Sequence, residues 1–205
     1  KKEINFDKNL YPKFKNKIQH VIIDKEPDIM IDVPNNNEEV AKRMNSIFRI
    51  EQQRNEALKA CNNASEEDYI FYSDNDEIPN FTNFDVENNK NKIIIFKQKL
   101  FYYKFNLFCD RADWYGTKGC KKKYLKSFSH LREIKTKKYS FYRLDTLFSE
   151  NKYMNLKIID DGGWHFSRLM SPRDMAIKLT NSEDHYEFKL SKIKLSNIED
   201  LVKRK

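Results

Sequence analysis

The stretch Y-I-F-Y-S-D-N-D-E-I-P, residues 69 to 79, decides how this chain is read. Tyr69, Ile70, Phe71 and Tyr72 have the aromatic and β-branched content of a short buried strand. Asp74, Asp76 and Glu77 follow at once, and Pro79 closes the run. On an extended chain Asp74 and Asp76, two apart, share a face. Two carboxylates aimed at one point repel unless a cation sits between them. Hard divalent ions such as Mg²⁺ or Mn²⁺ take oxygen ligands and share them with a substrate's phosphates. The pattern predicts strand, then metal, then phosphate. The competing reading is an acidic turn with no ligand, because a bare D-x-D is common.

Outward from this stretch, the 205 residues correspond to one domain. Hydrophobic residues make up only 39 %, but 15 Phe, 11 Tyr and 2 Trp can each bury a large area. Four glycines and no G-x-x-x-x-G-K or G-x-G-x-x-G argue against a glycine-rich phosphate loop. The formal charge of +8 attracts anions in general, but no stretch gathers it onto one face, so no specific nucleic-acid partner is expected. Cys61, Cys109 and Cys120 are odd in number and widely spaced, which gives neither a disulfide framework nor a zinc site and fits a reducing compartment. No apolar run is long enough for a transmembrane helix, and no signal peptide is visible.

Along the chain, Ile18 to Ile23 predicts a strand in which His20 is a packed or edge histidine, and 28 to 33 predicts a second extended piece. Residues 38 to 61 predict the clearest helix, capped by Asn36 or Asn37, with Glu38 and Glu39 in its first turn. Val40, Met44, Ile47 and Phe48 mark its apolar face. Glu51, Arg54 and Asn55 lie together at i, i+3 and i+4. They read either as a surface ion pair or as an Arg and an Asn presented to a ligand at the acidic strand end. Ile93 to Phe105 predicts a long strand or a hairpin. Residues 106 to 119 read as a loop in which Trp114, Tyr115 and Gly116 form a platform or plain core. A short strand, Leu156 to Ile159, runs into Asp160, Asp161, Gly162, Gly163, Trp164, His165, Phe166 and Ser167. Here the glycines predict close approach of backbone to a ligand, and His165 is a metal ligand, a base or a core histidine. Ser171-Pro172 starts a helix with Pro at its first position. Residues 1 to 190 are expected to form the domain, and 191 to 205 a charged helical tail.

Taken together these pieces resemble glycosyltransferase family 17. The matching residues are Glu51 with Gln53-Arg54-Asn55, Ser73-Asp74-Asn75-Asp76-Glu77-Ile78-Pro79 and Phe101-Tyr102-Tyr103. Trp114-Tyr115-Gly116, Leu131-Arg132, Gly163-Trp164-His165-Phe166-Ser167, Ile177-Lys178-Leu179 and His185 with Glu187 continue the series in the family's order. The family's first strand and helix are expected to lie before residue 1. The resemblance implies an α/β, GT-A type Rossmann-like domain with a central mixed sheet. It implies inverting transfer of a sugar, N-acetylglucosamine from UDP-N-acetylglucosamine, to a glycan acceptor by a soluble, cytoplasmic bacterial or viral enzyme.

In that reading Asp74 and Asp76 hold Mn²⁺ or Mg²⁺ against the diphosphate, and His165 is a further metal or phosphate contact. Arg54, Asn55 and Ser73 lie near the nucleotide, and Trp114 and Trp164 stack on sugar rings. An inverting displacement needs a base, for which Asp161, Asp160 and Glu77 are candidates and Asp161 is preferred. Two rivals share the acidic strand end: a metal-dependent phosphodiesterase or nuclease, and a non-catalytic sugar- or nucleotide-binding module.

Overall fold

The computed structural model describes residues 6–32, 38–182 and 185–203. It is a mixed α/β fold built on one mixed, curled sheet. The sheet contains β1 (Tyr69–Tyr72), β2 (Glu77–Pro79), β3 (Ile93–Tyr102), β4 (Phe108–Lys121), β5 (Leu156–Ile159) and β6 (Gly163–Ser167). Strand order is β1-β4-β3-β6-β2, with β5 also on β3. β5 and β6 run parallel to β3, one after the other along the same edge, and the remaining pairings are antiparallel. The helices are α1 (Glu38–Glu56), α2 (Phe128–Glu133), α3 (Pro172–Asn181), α4 (His185–Ser191) and α5 (Leu195–Lys203).

β3 is central because its run I-I-I-F is apolar at every position, which suits a strand covered on both faces. Ile93 and Ile95 point into a core with Phe128 and Leu131 of α2 and with Leu58 and Cys61 beyond α1. Ile94 and Phe96 point the other way, toward Phe84 and Ile159. There the rings of Phe71, Phe81 and Phe84 meet Phe96 at centroid distances of 5.7, 5.1 and 6.3 Å, mostly edge to face.

Several expectations change in three dimensions. Residues 106 to 119 are not a loop: most of them belong to β4, the longest strand. Its glycines are sites of close packing, not turn signals. A Cβ on Gly119 would meet the Phe71 ring at 2.2 Å, and one on Gly116 would meet Gln98 Oε1 at 1.9 Å. Gly162 and Gly163 also lie close against protein backbone. Gly162 N donates to Lys97 O at 2.8 Å. Gly163 has φ +116°, and a Cβ there would fall 2.0 Å from Ile78 O.

Ile18 to Ile23 forms no strand and pairs with none of the sheet's strands. His20 packs edge-on against Phe6 at 5.2 Å. In the 28 to 32 part of the second extended piece, Ile31 pairs with a side chain. The amide of buried Asn45 accepts from Ile31 N at 2.8 Å and donates to Ile31 O at 3.0 Å. Val40 is exposed, so the buried line of α1 passes through Ala41 and Asn45. The Asn36 or Asn37 cap lies outside the described residues. Ser171 caps α3 by accepting from Asp174 N at 3.1 Å, with Pro172 at the first turn. α5 packs on α3, burying Ile198 and Met175.

Lys118 of β4 is buried and fixes the end of α2. Its Nζ donates to the carbonyls of Arg132 and Ile134, both at 2.6 Å. Burial, helped by the nearby Arg132, pushes its pKa down to about 8. An amine with a lower pKa folded than unfolded makes the unfolded chain the better proton binder between about 8 and roughly 10.4. Its contribution to stability is least favourable below that window and rises with pH through it.

Two outcomes test this packing. Phe96→Ala should cost about 3–5 kcal/mol in urea unfolding, the scale for emptying a buried aromatic site; an unchanged midpoint would mean the aromatic cluster is not a core. The unfolding free energy of the parent minus that of Lys118→Met should grow between about pH 7.5 and about pH 10. A flat difference would show Lys118 is not buried as a depressed amine.

Candidate functional site

β1 ends at Tyr72, and the acids that follow fold into a tight turn, not an extended run. Glu77 N donates to Asp74 O at 3.0 Å, closing the turn through Asn75 and Asp76. The Glu77 carboxylate accepts back from Asp74 N at 3.2 Å. Asp74 and Asp76 therefore do not share a strand face. They leave the turn toward different partners within one cluster.

Glu77 is the centre of that cluster, and its side chain has no exposed area. Besides Asp74 N, its oxygens accept from Arg132 Nη1 at 3.1 and 3.2 Å and from Trp114 Nε1 at 2.9 Å. Arg132 also donates to Gly116 O at 2.7 Å and, through Nη2, to Asp74 Oδ2 at 2.9 Å. Four elements meet here: α2 supplies Arg132, β4 supplies Trp114 and Gly116, β2 supplies Glu77, and the turn supplies Asp74. Ser127 caps α2 by accepting from His130 N at 3.0 Å, and Lys118 holds the carbonyls at its far end. A helix this short has little stability of its own, so these ties keep Arg132 in place.

β6 brings in His165, opposite Glu77 in register. Its ring stacks on Trp114 at 4.3 Å with 27° between planes. His165 Nδ1 is buried without a hydrogen-bond partner among the described residues, 3.7 Å from Asp76 Oδ1. Burial lowers its pKa against the pull of Asp76 and Glu77, which favours the neutral imidazole, the form that binds metals. Arg54 of α1 completes the rim, with Nη2 3.9 Å from Asp74 Oδ2. Tyr72 lies between Arg54 and Asp74, and burial first, then Asp74, raises its pKa.

The other expected site residues are placed as follows. Asn55 turns to α2, where its Oδ1 accepts from Ser129 N at 3.1 Å. Ser73 pairs with the Thr117 hydroxyl at 2.5 Å, beside Gln98. Trp114 belongs to the cluster, with one face on His165 and its N–H on Glu77. Trp164, next to His165 on a strand, points to the opposite face of the sheet, where Lys99 is its cross-strand neighbour. Asp161 is on that opposite face too, paired with Lys99 at 2.7 Å and held at φ 49°. The structure thus brings together Arg54, Asp74, Asp76, Glu77, Trp114 and His165. It leaves Asp161 and Trp164 apart from them. Glu77, with no exposed area and both oxygens accepting hydrogen bonds, is placed to position its neighbours.

Sequence reading gave Arg132 no role, although it pairs with both Glu77 and Asp74. The available signal was the capping serine five residues before it, which marks the short helix that carries it.

The spacing of the candidate ligands is wider than a bound ion would set. In an octahedral shell two adjacent ligands, each about 2.1 Å from the ion, lie roughly 3.0 Å apart, so the 3.7 Å between Asp76 Oδ1 and His165 Nδ1 would have to close for both to hold one ion. Among the described residues no three His, Cys, Asp or Glu side chains converge on one ion. One or two carboxylates with the rest from phosphate and water is a normal arrangement for Mg²⁺, and Asp76 and Asp74 are the carboxylates at this turn with exposed area.

Comparison with protein-family models, with curated proteins and with solved structures finds no match to this chain.

Arg132→Ala should cost about 3–5 kcal/mol in chemical unfolding, because it leaves Glu77 as an unpaired buried charge. The double change Glu77→Gln with Arg132→Met should cost less than Arg132→Ala alone. Equal or greater loss in the double variant would show the pair is not the source of the penalty.

Proposed function

We propose that this chain is a metal-dependent, inverting glycosyltransferase of GT-A type. It transfers a sugar from a nucleoside diphosphate donor, UDP-N-acetylglucosamine, to a glycan acceptor. The observation that carries this reading is the unpartnered His165 Nδ1 facing Asp76 at 3.7 Å, beside Asp74 and two arginines at the end of a strand. The choice of donor and the GT-A assignment follow the resemblance to glycosyltransferase family 17.

Asp76 and His165 would hold Mn²⁺ or Mg²⁺, with Asp74 alongside. When bound, the ion offsets the negative charge that builds on the departing diphosphate. Arg54 is loosely paired at 3.9 Å, so its guanidinium can turn a donor to a phosphate oxygen. Arg132 is engaged on three sides and keeps Asp74 in line. Trp114 fixes the plane of His165 by stacking and is itself fixed by Glu77. Glu77 acts through these neighbours as a positioning residue.

Titration calorimetry with UDP, with and without Mn²⁺, tests the proposal. Binding should require the metal. Asp76→Ala and His165→Ala should each weaken it at least roughly 10-fold, the least that disturbing a metal's support costs. Asp161→Asn, on the other face of the sheet, should leave UDP binding unchanged. Metal-independent binding, or retained binding in Asp76→Ala, would remove the proposed site.

A further inference from the structure

Away from this site, the segment between α2 and β5 carries an unusual surface. Phe148 and Phe141 are 89 % and 87 % exposed, the two highest values for large apolar residues among those described. Tyr142, Leu144 and Leu147 are each about two-thirds exposed. Water contact at five large side chains in so short a stretch opposes burial, the main force of folding. The chain here is nevertheless held in a defined turn. Arg143 N donates to Ser140 O, Thr146 N to Arg143 O and Leu147 N to Leu144 O, each at 3.0 Å. Thr146 is buried, and its hydroxyl anchors the turn from inside by donating to Arg143 O at 2.7 Å.

The charges around the turn indicate what covers it. Its one internal acid, Asp145, is taken up by Arg143 at 2.7 and 2.9 Å and by Lys152 at 3.0 Å. Lys135, Lys137 and Lys138, just before the turn, are exposed. Residues 135 to 152 hold five Lys or Arg against two acids, a net +3. A protruding apolar tip with a cationic flank complements a surface that is negative outside and apolar beneath, as in a bilayer rich in anionic lipid. The tip is far shorter than the about 20 apolar residues of a membrane span, so it can lie on a bilayer but not cross it.

We propose that this turn docks the protein on an anionic lipid surface. Phe141, Tyr142, Leu144, Leu147 and Phe148 enter the boundary between headgroups and acyl chains. Lys135, Lys137 and Lys138 lie against the phosphates. The proposal does not depend on the transferase reading, and vesicle binding and UDP binding are separate measurements.

Co-sedimentation with vesicles tests it. Vesicles of phosphatidylcholine with roughly one third phosphatidylglycerol should bring the protein down, and pure phosphatidylcholine should bind it about 10-fold less well or worse. Phe141→Ser with Phe148→Ser should weaken binding roughly 10-fold or more with an unchanged unfolding midpoint, because both side chains are already in water. Lys137→Gln with Lys138→Gln should weaken it several-fold and flatten its dependence on salt. The lysine pair serves as the second variant if the Phe pair does not fold. Absence of binding to either vesicle overturns the proposal, as does equal binding by parent and variants. A dimer in sedimentation velocity without lipid, abolished by Phe141→Ser with Phe148→Ser, would overturn it by assigning the patch to a second copy of the chain.

Discussion

A carboxylate with no exposed area has to be matched inside the protein. Glu77 meets that demand with Arg132, Trp114 and the backbone of Asp74. Charge burial without such partners costs several kcal/mol, so every element that supplies a donor must arrive in register. β4 must place Trp114 and the Gly116 carbonyl, α2 must present Arg132, and the turn after β1 must close. Gly116 fits the same constraint, since a Cβ there would lie 2.8 Å from Glu77 Cδ. Much of the arrangement around the sheet's acidic end can be understood as satisfying this one group.

The same constraint leaves reactive groups at its edge. Glu77 and Arg132 take up each other's charge and hold Asp74, while Asp76, His165 and Arg54 keep unspent capacity. Burial favours the neutral form of His165, stacking on Trp114 orients it, and its Nδ1 is unpartnered among the described residues. A rigid, satisfied inner layer supporting an unsatisfied outer layer is the usual economy of a binding site. The acids that sequence reading grouped as equals thus separate by burial into a structural one, Glu77, and two half-exposed ones, Asp74 and Asp76.

Much of the secondary structure was legible. The aromatic run of β1, the apolar run of β3, the short β5, the span of α1 with its 3-10 extension and the Ser171-Pro172 start of α3 all follow from local composition. The failures share a cause. Ile18 to Ile23 has strand composition, but a strand exists only where an edge accepts it. β4 looked like a loop because Gly116 and Gly119 are turn formers in isolation, whereas here they make room for Glu77 and Phe71. Gly162 and Gly163 likewise serve the backbone of β3 and β2.

By itself the sequence determined β1, β3, β5, α1 and the start of α3, because residue composition, periodicity and capping are set by near neighbours. It also placed Asp74, Asp76 and His165 among the candidate ligands from their residue types. Only the tertiary structure decided which candidates meet. It joined Glu77 to Arg132, 55 residues away, set His165 beside Asp76, and put Asp161 and Trp164 on the other face. The physical reason is that strand pairing fixes which face each side chain occupies, and a pairing between distant segments leaves no periodic trace in either one.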